Sequence, residues 1–135
     1  MNSVSVSVDV PNLAEGIRFY GDAFGFSKIA EPVPGVVVLR TGDSEICLLE
    51  KPAGSQPSPD TRETRHYERH WRPVHMDIHV DDFRAVLAQA LAAGATQEQI
   101  FVGPKHPSVA FCSDPFGHGF CIIERRRKTA TGEAP

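Results

Sequence analysis

Two stretches of this chain pair an alternating strand with an amphipathic helix, and they read as copies of one design. The first is Val4-Ser5-Val6-Ser7-Val8-Asp9-Val10, followed by a helical pattern opening at Asn12. The second is Val74-His75-Met76-Asp77-Ile78-His79-Val80, followed by a helical pattern opening at Asp81 or Asp82. Successive strand side chains point to opposite faces. Val4, Val6, Val8 and Val10 are therefore predicted to pack under a helix, with Ser5, Ser7 and Asp9 on the other face. In the second copy Val74, Met76, Ile78 and Val80 face the helix and His75, Asp77 and His79 face away. A sheet that is polar on the side away from its helices is either solvated or lines a polar cavity.

The bounds on function classes are narrow. At 135 residues the chain is one domain, or two small modules fused in tandem. A net charge of −3 gives no electrostatic footprint for nucleic acid or an anionic membrane. The one basic run, Arg125-Arg126-Arg127-Lys128, leads into a polar C-terminal tail, residues 126–135, predicted to be a flexible solubilising end. No stretch approaches the roughly 20 apolar residues of a membrane span, and no signal-peptide pattern opens the chain. Cys47, Cys112 and Cys121 are odd in number and fit no CxxC spacing, so reduced thiols and a cytoplasmic location are expected.

The predicted first module covers residues 1–50. Leu13, Ile17, Tyr20 and Phe24 form its helical stripe, Asn12 an N-cap with Glu15 at the capping-box position, and Gly25 a left-handed terminator. Strand runs at Gly35–Arg40 and Glu45–Glu50 flank a Thr41–Ser44 turn. Residues 51–73 form a linker in which Pro52, Pro57 and Pro59 exclude regular structure. Its second half carries Arg62, Arg65, His66, Arg69, His70, Arg72 and Trp71. It reads either as a solvated connection or as a basic flap over a pocket for an anionic or aromatic ligand. The second module, residues 74–125, has a helical stripe of Phe83, Val86, Leu87, Ala90 and Leu91 ended by Gly94. Strand runs follow at Ile100–Val102, Ser108–Cys112 and Phe120–Glu124, with an Asp114–Gly119 turn before the last. Each half reads β-α-β-β-β, an α+β design duplicated within one chain.

Several strings resemble the vicinal oxygen chelate superfamily, which includes glyoxalases, bleomycin-resistance proteins and extradiol dioxygenases. Val10-Pro11-Asn12-Leu13, Phe19-Tyr20 and Phe24-Gly25-Phe26 are similar to its opening motif, and Val74 through Asp82 to the opening of its second module. Asp114-Pro115-Phe116-Gly117-His118 resembles the hairpin before its last strand. The resemblance implies two tandem βαβββ modules forming a curled eight-stranded sheet around a cup. It also implies a divalent metal held by residues of the first and last strand of each module, at positions that fall here on Ser5, Cys47, His75 and Cys121. Metal-using relatives place His, Gln and Glu there, because hard ions favour oxygen and imidazole donors. This chain departs from that pattern.

Two functional readings follow. The favoured one is a glyoxalase-like protein without the metal, binding a small aromatic or polar metabolite or drug. Its cup residues are Ser5, Ser7, Cys47, Leu49, His79, Val109, Phe111, Cys121 and Ile123, with His75 and Asp77 as an acid–base pair. The alternative is a lyase, isomerase or dioxygenase using zinc, iron, manganese or nickel on His75, Cys47 and Cys121. Glu50 and Glu124 fall on the helix-side parity and are excluded from the cup. Phe19, Tyr20 and Trp71 are expected to supply aromatic surface for a two-fold homodimer.

Overall fold

A computed structural model describes residues 1–126. The part of the predicted tail from residue 127 onward lies outside the described residues. The chain divides into two compact units that meet in sequence between Glu68 and Arg69. The linker is therefore shared: residues 51–68 belong to the first unit and 69–73 to the second.

In the first unit the elements are β1 (Val6–Val10), α1 (Leu13–Phe24), β2 (Ser27–Val33), β3 (Val36–Thr41) and β4 (Ser44–Glu50). The second repeats the series as β5 (Met76–Val80), α2 (Phe83–Ala93), β6 (Thr96–Phe101), β7 (Val109–Ser113) and β8 (Gly119–Glu124). The sheets have orders β1-β4-β3-β2 and β5-β8-β7-β6. In each, the strand before the helix pairs parallel with the last strand, and the remaining pairs are antiparallel. This is the duplicated βαβββ, α+β design that the sequence predicts.

Both helices start and stop where side-chain chemistry dictates. Asn12 Oδ1 accepts from the Glu15 amide (3.0 Å), and Asp82 Oδ1 from that of Ala85 (3.1 Å). These caps satisfy amides that have no intrahelical partner. Gly25 ends α1 in the left-handed conformation, at φ 75°. Glu50 lies on the helix side of its sheet, as its parity predicts, and Oε2 accepts from the Leu13 amide (2.9 Å).

The buried stripes differ in detail from the predicted ones. Helix α1 buries Gly16, Phe19, Tyr20 and Ala23, leaving Leu13, Ile17 and Phe24 half-buried. The helix sits one position round from the predicted stripe because Gly16 lets it approach the sheet. A Cβ there would lie 2.9 Å from Leu48 Cδ1 and 3.1 Å from Val10 Cγ1. Tyr20, on the predicted stripe, is buried, and so is Phe19, expected to add aromatic surface beside it; their rings meet edge to face at 4.9 Å. The aromatic argument for self-association therefore retains only Trp71. Val4 and Val74 precede their strands and are 94% and 76% exposed, so they do not pack under the helices.

Candidate functional site

Directly paired strand residues share a face, so the register states what each sheet presents away from its helix. In the second unit Asp77 pairs with Cys121, and Cys121 with Phe111. One step along, His79 pairs with Ile123, and Ile123 with Val109. Six of the seven residues expected on this face thus form two cross-strand rows, and the seventh, His75, precedes β5. In the first unit Ser7 pairs with Cys47, Asp9 with Leu49, and Ser5 stands before β1. Ser7, Cys47 and Leu49 belong to that unit's own sheet, and Ser5 to the segment leading into it.

His75, in the segment leading into β5, places Nε2 3.1 Å from Asp77 Oδ1. Cys121, on β8, hydrogen-bonds the same carboxylate through its thiol. The ligating atoms of His75, Asp77 and Cys121 all lie within 4.8 Å of one another. Burial, and after it the charge of Asp77 and the hydrogen bond to it, push the Cys121 thiol up to about 11. At neutral pH it is a protonated donor to Asp77. Cys112 on β7 is likewise pushed up to about 11, first by burial and then by Cys121 and Glu98.

Asp77 joins His75 and Cys121, two of the three expected metal ligands, in one cluster of the second unit. With a thiol in place of a further oxygen or imidazole, this set departs from what a hard divalent ion needs. The Cys121 thiol holds its proton at neutral pH, so an ion bound there would have to displace it.

A cavity of about 240 Å³ opens above this cluster, with His75, Cys121 and Phe111 among its lining residues. Of its other walls, Trp71 and Arg72 come from the end of the linker, which the sequence offers as a basic flap over a pocket, and Val74 from the segment before β5. Glu98, which the sequence does not single out, comes from β6. Arg69, also lining, holds these parts together. Its Nε and Nη2 fork onto the Glu98 carboxylate at 2.7 and 3.1 Å, and Nη1 donates to the His70 carbonyl at 2.7 Å. The hydrogen bond from Arg69 holds Glu98 below the usual carboxylate range, and Glu98 in turn raises the guanidinium. The guanidinium lies over Gly119, where a Cβ would come within 2.8 Å of Nη2 and 3.2 Å of Cζ. A larger residue at that position would make the guanidinium shift.

Arg72 Nη1 donates to the Gly117 carbonyl (2.6 Å). That carbonyl is aimed by a turn in which Asp114 Oδ1 accepts from the amides of Phe116 (2.8 Å) and His118 (2.9 Å). The basic linker is thus split in use. Arg65 pairs with Asp9 of β1 at 2.7 Å, while Arg69 and Arg72 build the cavity wall. Glu98 stands at an irregular position of β6, where the register shifts between Gln97 and Gln99.

A duplicated βαβββ fold with a cavity beside the β5–β8 pair defines the structural class. Within it, the chain belongs to the family described as Glyoxalase-like domain, which matches residues 5–123. No curated protein sequence matches it. Solved structures with the same fold include a glyoxalase-related enzyme from Fulvimarina pelagi, with TM-score 0.68 and 15% identity over 99% of this chain and 96% of that one. Lactoylglutathione lyase from Agrobacterium tumefaciens has TM-score 0.62 and 16% identity, over 91% and 92%. The fosfomycin resistance protein FosX from Listeria monocytogenes, solved with manganese(II) and a dihydroxypropylphosphonic acid, has TM-score 0.68 and 13% identity, over 90% and 88%. At these identities the likeness is one of fold. No helix among the described residues is long and apolar enough to cross a membrane.

Proposed function

We propose that this chain is a metal-independent, small-molecule-binding member of its family. The observation that carries the reading is the cavity of the second unit, which combines apolar walls with fixed polar groups. Phe111, Trp71 and Val74 supply the apolar surface, and His75, Arg72 and the Arg69–Glu98 pair the polar anchors. That is the usual composition of a ligand site. With the proton of His75 on Nε2, the ring donates to Asp77 and leaves Nδ1 as an acceptor. His75 is then the group placed to exchange a proton with a bound ligand, and Asp77 the group that orients it.

A thermal-shift screen of small aromatic and polar compounds tests this, with His75→Ala as the control. Stabilisation that weakens in the variant supports the reading, and a screen without a stabilising compound sinks it. The second reading, a metal-dependent lyase, isomerase or dioxygenase, draws on the proximity of His75, Asp77 and Cys121. Elemental analysis of protein purified without chelator separates the two. Near-stoichiometric zinc, iron, manganese or nickel favours the enzyme, and less than about a tenth of an equivalent the metal-free protein, since built sites bind tightly.

The proposal places the protein in a reducing compartment such as the cytoplasm, consistent with its three free cysteines. It also includes a homodimer. Support for the dimer comes from apolar residues exposed on the outermost strands β2 and β6, Ile29, Val33 and Phe101 among them. Light scattering at micromolar concentration checks it, and the mass of a single chain there refutes it.

A further inference from the structure

Trp71 lines the cavity yet is 81% exposed, and Val74 beside it is 76% exposed. Large apolar side chains left open at the rim of a cavity are surface in want of a ligand. The segment that carries them is pinned. Arg69 is forked onto Glu98 and seated on Gly119, and Arg72 donates to the Gly117 carbonyl. A stacking surface held this way loses little conformational entropy when a ring lands on it. Phe111 adds a second apolar wall, with its own ring held edge to face by Phe101 at 5.8 Å.

Charge gives the rest. The lining holds two guanidinium groups and one carboxylate, and that carboxylate is already engaged by Arg69. The lining itself carries one net positive charge with a neutral His75, and behind it stand two carboxylates: Asp77, on His75 and Cys121, and Asp114, whose charge acts on Arg69. A volume of about 240 Å³ suits a compound of one ring and lies below the range for drug-sized ligands. We propose that this cavity selects a small planar aromatic anion, with its ring against Trp71 and its carboxylate beside Arg72. The inference rests on the reading of the cavity as a ligand site and adds the chemical class of the ligand.

Trp71 is the single tryptophan of the chain, so its indole N–H gives one resonance that reports on this wall alone. The full-length protein is titrated with benzoate, benzyl alcohol and cyclohexanecarboxylate, following the indole resonance by NMR and the affinity by calorimetry. Benzoate is expected to shift the resonance saturably. It should bind about tenfold more tightly than the alcohol, for loss of a charge-assisted contact, and than the saturated acid, for loss of stacking. Arg72→Gln should abolish the first preference and Trp71→Ala the second. Equal affinity for acid and alcohol overturns the anion assignment, and equal affinity for the two acids overturns the stacking. Calorimetric binding without movement of the indole resonance overturns the location. No benzoate binding, with other compounds stabilising the protein in the thermal-shift screen, overturns this inference and leaves the small-molecule reading standing.

Discussion

The Cys121 thiol gives the sharpest test of the site's internal chemistry, because the same carboxylate that meets His75 controls it. Its value of about 11 lies about two units above the ordinary thiol value of 9.0. At pH 8 that lowers the thiolate fraction about a hundredfold relative to an unperturbed thiol, from roughly a tenth to roughly a thousandth. Alkylation requires the thiolate. Iodoacetamide at pH 8 is therefore expected to label Cys47, which is half-buried, well before Cys112 and Cys121, which are 1% and 4% exposed. Peptide mapping over time resolves the three. Asp77→Asn removes the nearby charge and leaves burial, the larger cause, in place. Labelling of Cys121 should then speed up by several-fold to tenfold, with that of Cys47 unchanged. The stability consequence has a definite sign. A thiol whose folded value is raised contributes stability that is complete below pH 9 and is lost as pH rises through 11. Two pK units correspond to about 2.7 kcal/mol, and water access to the site brings the contribution to about 1–2 kcal/mol. Urea unfolding at pH 8 and pH 11 should show that loss in the wild type and a smaller loss in Cys121→Ser. Labelling of Cys121 as fast as that of Cys47, or indifference of its rate to Asp77→Asn, would refute the reasoning.

Other consequences follow from single contacts. Gly16→Ala gains about 1 kcal/mol of helix propensity and loses about 1–3 kcal/mol to overpacking against Leu48 and Val10. A lower urea midpoint is expected, and a higher one would show that the helix can lift at no cost. Arg65→Ala removes the 2.7 Å contact to Asp9 and the hydrogen bonds to Ser55 and Gln56 that tie residues 51–65 to β1. A loss of about 1–2 kcal/mol is expected, because the pair is largely shielded from water. Faster proteolysis between residues 51 and 65 should accompany it.

The repeat was legible in the sequence because alternation and capping are local signals. Val8, Val10 and Val80 are buried as their parity requires, and Asn12 and Asp82 cap the helices. The strand β2 was not legible, since Pro32 and two register shifts interrupt its pattern and every residue in it is exposed. Strand β6 extends four residues ahead of the predicted Ile100 start, because Thr96, Gln97, Glu98 and Gln99 carry no apolar alternation. The cost of that miss was Glu98, and with it the partner of Arg69. Contacts such as the one between Arg69 and Gly119 join residues far apart in sequence, and no local pattern announces them.

The two modules keep one backbone and diverge in what it presents. Ser7 pairs with Cys47 as Asp77 pairs with Cys121, so the duplicated register survives intact. In the first unit Arg65 neutralises Asp9, the charged residue on the polar face of β1. In the second the equivalent place is His79, and the linker arginines turn instead to Glu98 and the Gly117 carbonyl. A linker cation therefore compensates the polar face of the first unit, while the second keeps a carboxylate, an imidazole and a thiol beside an open cavity. Duplication supplied two equivalent surfaces, and substitution at a few strand positions made only one of them chemically rich. Binding chemistry for this chain is accordingly argued from residues 69–124, where titratable groups, exposed aromatic surface and a cavity coincide.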